Sequence, residues 1–256
     1  MFAREVLPRL LAAPAELILD ALPPLQPQTR FLEVGAGGGV VARALIERIA
    51  GLGRLVAIDD DADLALALPA GPKRGARAVA GFPQLPFANA VFDVAIVNLV
   101  LGDGIKDAPR LAELRRVLRP GGWLLATVAL TGSFDELFEL VAEACEASSL
   151  HHLKAATRQA QAALPDDDAL RARLTEAGYV VAQLGVEERL LCLVDGDSIL
   201  EDTLITEVLL PALLGVPLPE EARDALVRAA NTWFKGGMPL RVRTAIITAR
   251  VEKNRA

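Results

Sequence analysis

The sequence predicts an α/β protein built on a doubly wound, mostly parallel sheet, and three observations carry that expectation. Between residues 31 and 130, short apolar runs of strand length alternate with stretches whose apolar residues recur at helical spacing. The first such unit, Phe31–Leu45, passes from strand to helix through Gly35-Ala36-Gly37-Gly38-Gly39. The apolar content is aliphatic: 52% of the chain is hydrophobic but only 4% aromatic, which suits strands buried by helices on both faces.

Taken in order, residues 1–22 predict one or two amphipathic helices broken at Pro8 and Pro14, and Pro23-Pro24 and Pro27 make a stiff connector. Phe31–Val34 is the first strand, and after the glycines apolar positions 41, 44, 45 and 49 mark a helix. Gly51-Leu52-Gly53 stops that helix, and Arg54–Ile58 is a second strand ending in Asp59-Asp60-Asp61. Ala76–Ala80 is a third strand, Phe82–Phe87 a proline-punctuated loop, and Val91–Val97 a fourth strand. Leu111, Leu114 and Leu118 mark a helix closed by Arg119-Pro120-Gly121-Gly122, before a fifth strand over Trp123–Leu130. Parallel strands joined this way take right-handed crossovers with helices on both faces.

The second half predicts helices over 134–147, 151–164 and 166–177, the last capped by Gly178. Strands at 179–194 and 240–251 flank helical stretches at 197–214 and 219–234. The full expectation is a seven-stranded sheet with a helical insertion after strand five and an antiparallel closing strand.

Composition narrows the function. The chain has 256 residues and a formal net charge of −6, which opposes a broad nucleic-acid footprint. Lys73-Arg74 and Arg115-Arg116 read as solvated surface. Cys145 and Cys192 form no metal or redox motif and read as reduced core residues of a soluble, cytoplasmic protein. No secretory apolar segment and no membrane span is present in the sequence. His151 and His152, adjacent and far from the cysteines, assemble no metal cluster by spacing and read as surface imidazoles at a helix start, the alternative being a base that takes a proton from a hydroxyl acceptor.

The glycine loop is the candidate site. Its residues tolerate backbone angles closed to others, so a polar ligand can approach the backbone and meet free N–H groups at the following helix. A tight strand-to-helix turn with no ligand is the alternative reading, and G-x-G-x-G is shorter than the dinucleotide G-x-G-x-x-G fingerprint. Glu33, two residues before the first glycine, suits a cationic or hydroxyl-bearing ligand better than a pyrophosphate. Asp59 stands at the spacing at which a βαβ unit places an acid beside a ribose. Glu33, the glycines, Asp59 and Asn98 gather beyond the carboxyl ends of the strands, where such sheets bind ligands. Asn98 is the best candidate for a polar contact near reacting atoms, and Asp107 reads as an N-terminal helix charge. Trp123 reads as core, and Trp233 and Phe234 either line a pocket or seal the sheet.

Four blocks, FLEVGAGGG, RLVAIDDD, QLPFANAVFDVAIV and LAELRRVLRPGGWLLA, make the chain resemble the class I S-adenosylmethionine-dependent methyltransferases of the small-molecule type, with their Rossmann-like sheet. The resemblance is clear from about residue 29 to 145 and fainter beyond. It implies that Gly35, Ala36, Gly37 and Gly39 pass close to the methionine part of the cofactor S-adenosylmethionine, with Glu33 near its ammonium end and Asp59 on the ribose hydroxyls. Three positions depart from the family pattern. Asp60 stands where an apolar residue usually packs on adenine, Gly81-Phe82-Pro83 replaces a Gly-Asp-Ala type sequence, and Leu99–Gly104 lacks the usual His or aromatic cluster. Phe82 would compensate by stacking on adenine.

The resemblance implies one methyltransferase-like domain over 1–256: a helical cap over 1–28, a cofactor half over 29–131 and a substrate and cap half over 132–256. The expected activity is methyl transfer to a small, apolar molecule, with no nucleic-acid or membrane partner and an apolar surface compatible with a homodimer. The alternative is a protein of the same fold that binds or scaffolds without transferring methyl groups. A nicotinamide-dependent oxidoreductase ranks last, because neither the glycine spacing nor the blocks after residue 80 fit it.

Overall fold

The computed structural model describes residues 2–49, 52–71 and 75–252. Gly51, the Lys73-Arg74 pair and the side chain of Cys192 lie outside the described residues. The chain divides into two compact units: Met1–Ala129 with Asp166–Glu187 and Thr244–Ala256, and Leu130–Pro165 with Glu188–Arg243.

In the first unit a π-helical turn, Phe2–Val6, runs into α1 (Leu7–Asp20), and β1 (Thr29–Val34) follows the proline connector. The alternation continues with α2 (Val40–Ile49), β2 (Gly53–Asp59), α3 (Ala62–Ala67), β3 (Ala76–Val79), β4 (Phe92–Leu101), α4 (Gly104–Val117) and β5 (Leu118–Ala129). With β6 (Tyr179–Val194) and β7 (Met238–Val251), the sheet has seven strands in the order β3-β2-β1-β4-β5-β7-β6. Strands β1, β2, β3, β4 and β5 pair in parallel, and β7 closes against β5 antiparallel, from Trp123 opposite Arg250 to Ala129 opposite Thr244.

The central strands β1, β4 and β5 are buried along most of their length, as strands covered on both faces are. Phe31, Ile96 and Leu125 of the strands pack with Val41, Ala42 and Leu45 of α2 and with Ala15, Ile18 and Leu19 of α1 as one buried cluster. The register β1–β2 puts Val34 opposite Ile58, so Glu33 and Asp59 finish at the same edge of the sheet.

Two sequence expectations change in the first unit. The break predicted at Pro14 does not occur: α1 runs through it, with the Pro14 ring on the buried face, where packing offsets the lost backbone donor. Leu118 begins β5 rather than ending α4, and the Pro-Gly-Gly turn becomes a bulge, where the β4–β5 register shifts between Phe92 and Val94. Asp107 stands in the first turn of α4, as its reading as an N-terminal helix charge expects, and it is buried: both its carboxylate oxygens accept from the Gly102 N–H at 3.1 Å, and Arg173 of α7 (Asp167–Glu176) reaches it at 3.2 Å.

The second unit holds α5 (Asp135–Ala147), α6 (His151–Ala163), α8 (Leu210–Leu214) and α9 (Glu220–Trp233), with a π-helical turn, Ile205–Leu209, leading into α8. Leu137, Phe138, Leu140, Val141 and Cys145 form the buried face of α5. The helix predicted from residue 197 begins later, because side chains compete for its backbone. Asp195 accepts from the Ser198 N–H at 2.8 Å and its hydroxyl at 2.7 Å, and Asp202 accepts from the Leu204 N–H at 2.9 Å.

Candidate cofactor site

The loop between β1 and α2 is held by its own backbone and by one carboxylate. Ala36 N–H donates to Ile58 O at 3.1 Å, Gly39 N–H to Ala36 O at 2.8 Å, and Gly37 N–H to the Asp59 carboxylate at 2.8 Å. The other oxygen of Asp59 takes the Asp61 N–H at 3.0 Å. Asp59 thus ties the end of β2 to the loop while almost wholly buried, and burial raises its pKa despite those two backbone bonds.

Glycine is required at two loop positions by angle and by space. Gly35 has φ 68° and a Cβ there would lie 2.6 Å from Val100; Gly37 has φ 53° and a Cβ there would lie 2.7 Å from Leu11 of α1. One turn into α2, Arg43 reaches back to donate to Gly38 O at 2.7 Å.

Glu33 is the unbalanced group. It is 1% exposed, and its Oε2 has no hydrogen-bond partner. Burial pushes its pKa to about 8, the Arg43 guanidinium lowers it, and Asp59 raises it. A buried acid left this way favours a cationic partner that supplies both charge and donors.

Asp60 and Gly81-Phe82 meet on the far side of Asp59. Asp60 is exposed, and its Cβ would sit 2.9 Å from a Cβ on Gly81. Phe82 is half-buried, with the Arg110 guanidinium 5.7 Å above its ring, and Arg110 is itself fixed by Val100 O at 2.8 Å. Asn98 reaches the same end of the sheet, but its amide is engaged at both ends. It donates to Leu11 O at 3.1 Å and accepts from the Thr127 hydroxyl at 2.6 Å.

The structure therefore brings Glu33, Gly35, Ala36, Gly37, Gly39, Asp59 and Asn98 to one edge, with Asp60 and Phe82 beside it. Sequence reasoning missed Arg43, Thr127 and Leu11. Arg43 falls one helical turn after Gly39 and was readable by spacing; Leu11 is contacted only through the fold. His151 and His152 are exposed, His151 beside Glu146 at 3.3 Å. Among the described residues no group of three or more His, Cys, Asp or Glu is placed to hold a metal, and no helix is long and apolar enough to cross a membrane.

A methyltransferase domain family model matches residues 32–126, from β1 through β5. Demethylmenaquinone methyltransferase of Mycolicibacterium vanbaalenii is 32% identical over 167 residues, covering 60% of this chain and 70% of that protein. The chain belongs to the class I S-adenosylmethionine-dependent methyltransferases. The methyltransferase fold extends over nearly all of it. A methyltransferase structure from Bacillus halodurans superposes with a TM-score of 0.57 at 18% identity, covering 94% of this chain and 99% of that one. The YcgJ protein of Bacillus subtilis superposes with a TM-score of 0.58 at 15% identity, with the same coverage. S-adenosylmethionine is the cofactor of this methyltransferase. The residues present fit it: a buried, unpartnered carboxylate oxygen at Glu33 complements its cationic amino-acid end, and Asp59 offers a second carboxylate at the end of β2.

Proposed function

We propose that this methyltransferase holds S-adenosylmethionine along Gly35–Gly39, with Glu33 facing the ammonium group, Asp59 the ribose hydroxyls and Phe82 the adenine, and that it methylates a small, apolar molecule. The orphaned Glu33 oxygen carries the reading, because a carboxylate enclosed without a donor gains most from a ligand that brings one. Asp59 keeps one backbone bond to the loop, so ribose contact and loop shape are coupled through the same side chain. Asp60, being exposed, stays hydrated. When bound, the sulfonium supplies a methyl group already activated by its positive charge, so transfer asks the protein for alignment and a closed site more than for a strong base.

The apolar character of the acceptor is supported by the aliphatic helices of the second unit and by the relative named for demethylmenaquinone. The whole chain acts in this reading as one methyltransferase, with residues 132–256 shaping the acceptor pocket. Calorimetric titration with S-adenosylmethionine and S-adenosylhomocysteine tests the site, and micromolar binding is expected. Absence of binding at millimolar ligand removes the assignment of Glu33 and Asp59. With binding in hand, a screen of small hydrophobic acceptors against charged ones tests the substrate class.

A further inference from the structure

The glycine loop is covered in this structure. Leu11 of α1 fills the space beside Gly37 that a Cβ would enter, and Leu7 stands behind it, 3.9 Å from the same point. A ligand that is to run along the Gly37 backbone on that side meets Leu11 first.

The two halves of α1 are held differently. Ala15, Ile18 and Leu19 belong to the buried cluster formed with α2 and the sheet, whereas Leu7 and Leu11 lie outside it. Pro14 separates the halves and contributes no N–H to the helical ladder, so bending at that point costs less than elsewhere. Ahead of Leu7 the helix has no side-chain cap and passes into the π-helical turn. The first half is buried at Leu7 and Leu11, and a buried polar tie on it is the Asn98 amide on Leu11 O. Thr127 fixes the orientation of that amide: its hydroxyl donates to Asn98 Oδ1 and accepts from the Leu99 N–H at 3.1 Å, which leaves the Nδ2 end aimed at α1. Leu99 is held there in a left-handed backbone conformation, φ 57°, so the end of β4 is shaped around this contact.

We propose that Asn98 is a latch: by donating to the Leu11 carbonyl it holds the first half of α1 down on Gly37, and the loop opens to the cofactor when that half swings about Pro14. The inference rests on the cofactor reading of the loop. Asn98 then acts through α1, as a positioning residue, and governs the rate at which the loop becomes accessible.

Hydrogen exchange on the full chain tests the latch without ligand. Asn98→Ala should speed amide exchange over residues 7–13 by roughly tenfold, the loss of one buried hydrogen bond, while residues 15–20 keep their protection. Thr127→Val should reproduce the effect and Thr127→Ser, which keeps the hydroxyl, should restore wild-type exchange. In stopped-flow mixing with S-adenosylhomocysteine, Asn98→Ala and Leu11→Ala should both raise the association rate several-fold. Unchanged exchange over 7–13, or faster exchange spread equally over 15–20 and β4, overturns the latch. If S-adenosylhomocysteine does not bind at all, the cofactor reading fails while the exchange result still decides whether Asn98 holds α1. Should Asn98→Ala fail to fold, the Thr127→Val and Leu11→Ala results stand in its place.

Discussion

At the amino end of the first unit's parallel strands, Asp93 meets Arg119 at 2.7 Å and takes the Arg30 N–H at 2.8 Å, partly in water. At the carboxyl end, Glu33 is sealed with an unpartnered oxygen and Asp59 is satisfied by backbone N–H groups alone. The amino end also stacks Arg250 on Trp123 at 4.1 Å beside a cleft of about 620 Å³. The same sheet thus pairs Asp93 with a cation at one end and leaves an oxygen of Glu33 without a donor at the other. Paired surface charges contribute little and ask for nothing, whereas a buried acid without a donor is a standing cost that a cationic ligand relieves.

Substitutions at the carboxyl end should be expensive and those at the amino end nearly silent. Gly37→Val forces a β-branched residue to φ 53° against Leu11 and should cost about 3 kcal/mol or more, with loss of cofactor binding; denaturant unfolding and calorimetry read both. Asp59→Ala strands the Gly37 and Asp61 N–H groups and should cost about 2 kcal/mol while weakening S-adenosylhomocysteine by tenfold or more. Wild-type affinity in that variant would show that Asp59 serves the loop only.

Glu33 gives a pH signature. In the folded chain it keeps its proton up to about pH 8, whereas unfolded it ionises near its ordinary 4.5. Its contribution to stability is therefore fully present below 4.5 and is lost as pH rises toward 8, at up to about 1.4 kcal/mol per pH unit. Melting temperatures followed across that window should fall with pH in the wild type and flatten in Glu33→Gln. A cationic ligand favours the ionised acid, so binding near neutral pH should release a proton, read as a dependence of the binding heat on the buffer's ionisation enthalpy. Equal heats in phosphate and Tris would count against Glu33 as the ammonium partner. The smallest effect is expected at the amino end. Arg119→Ala should change stability by less than about 1 kcal/mol and leave cofactor affinity unchanged, and a large loss of affinity there would erase the contrast between the two ends.

The elements most legible in the sequence were those whose local pattern agrees with their packing. Tyr179–Val194 is a strand as read, and the glycine loop stands between strand and helix as its residues require. Glu33 and Asp59 were legible as acids at strand ends, but the enclosure that makes one of them unusual was not, since burial depends on what packs over it. Pro14 reads as a breaker because local rules see the missing donor and not the buried face that carries it. Asp107 reads as a helix charge and is one, whereas its burial beside Arg173, 66 positions away on α7, is beyond any local pattern. The Asn98–Leu11 contact joins residues 87 positions apart, beyond any spacing rule.

Strand β6 carries a consequence for the protein in concentrated solution. It is the last strand of the sheet, 16 residues long, and Val180, Val186 and Leu190 stand exposed along it. An outer strand of that length offers a row of backbone donors and acceptors to any other strand, and its valines make the encounter adhesive. Glu187 and Glu188 interrupt the apolar run, Glu188 within 3.6 Å of Arg241 and 3.8 Å of Arg243 and Glu187 set to repel a like edge. Their charge is screened as salt rises, so aggregation of this methyltransferase should begin at β6 and grow with ionic strength.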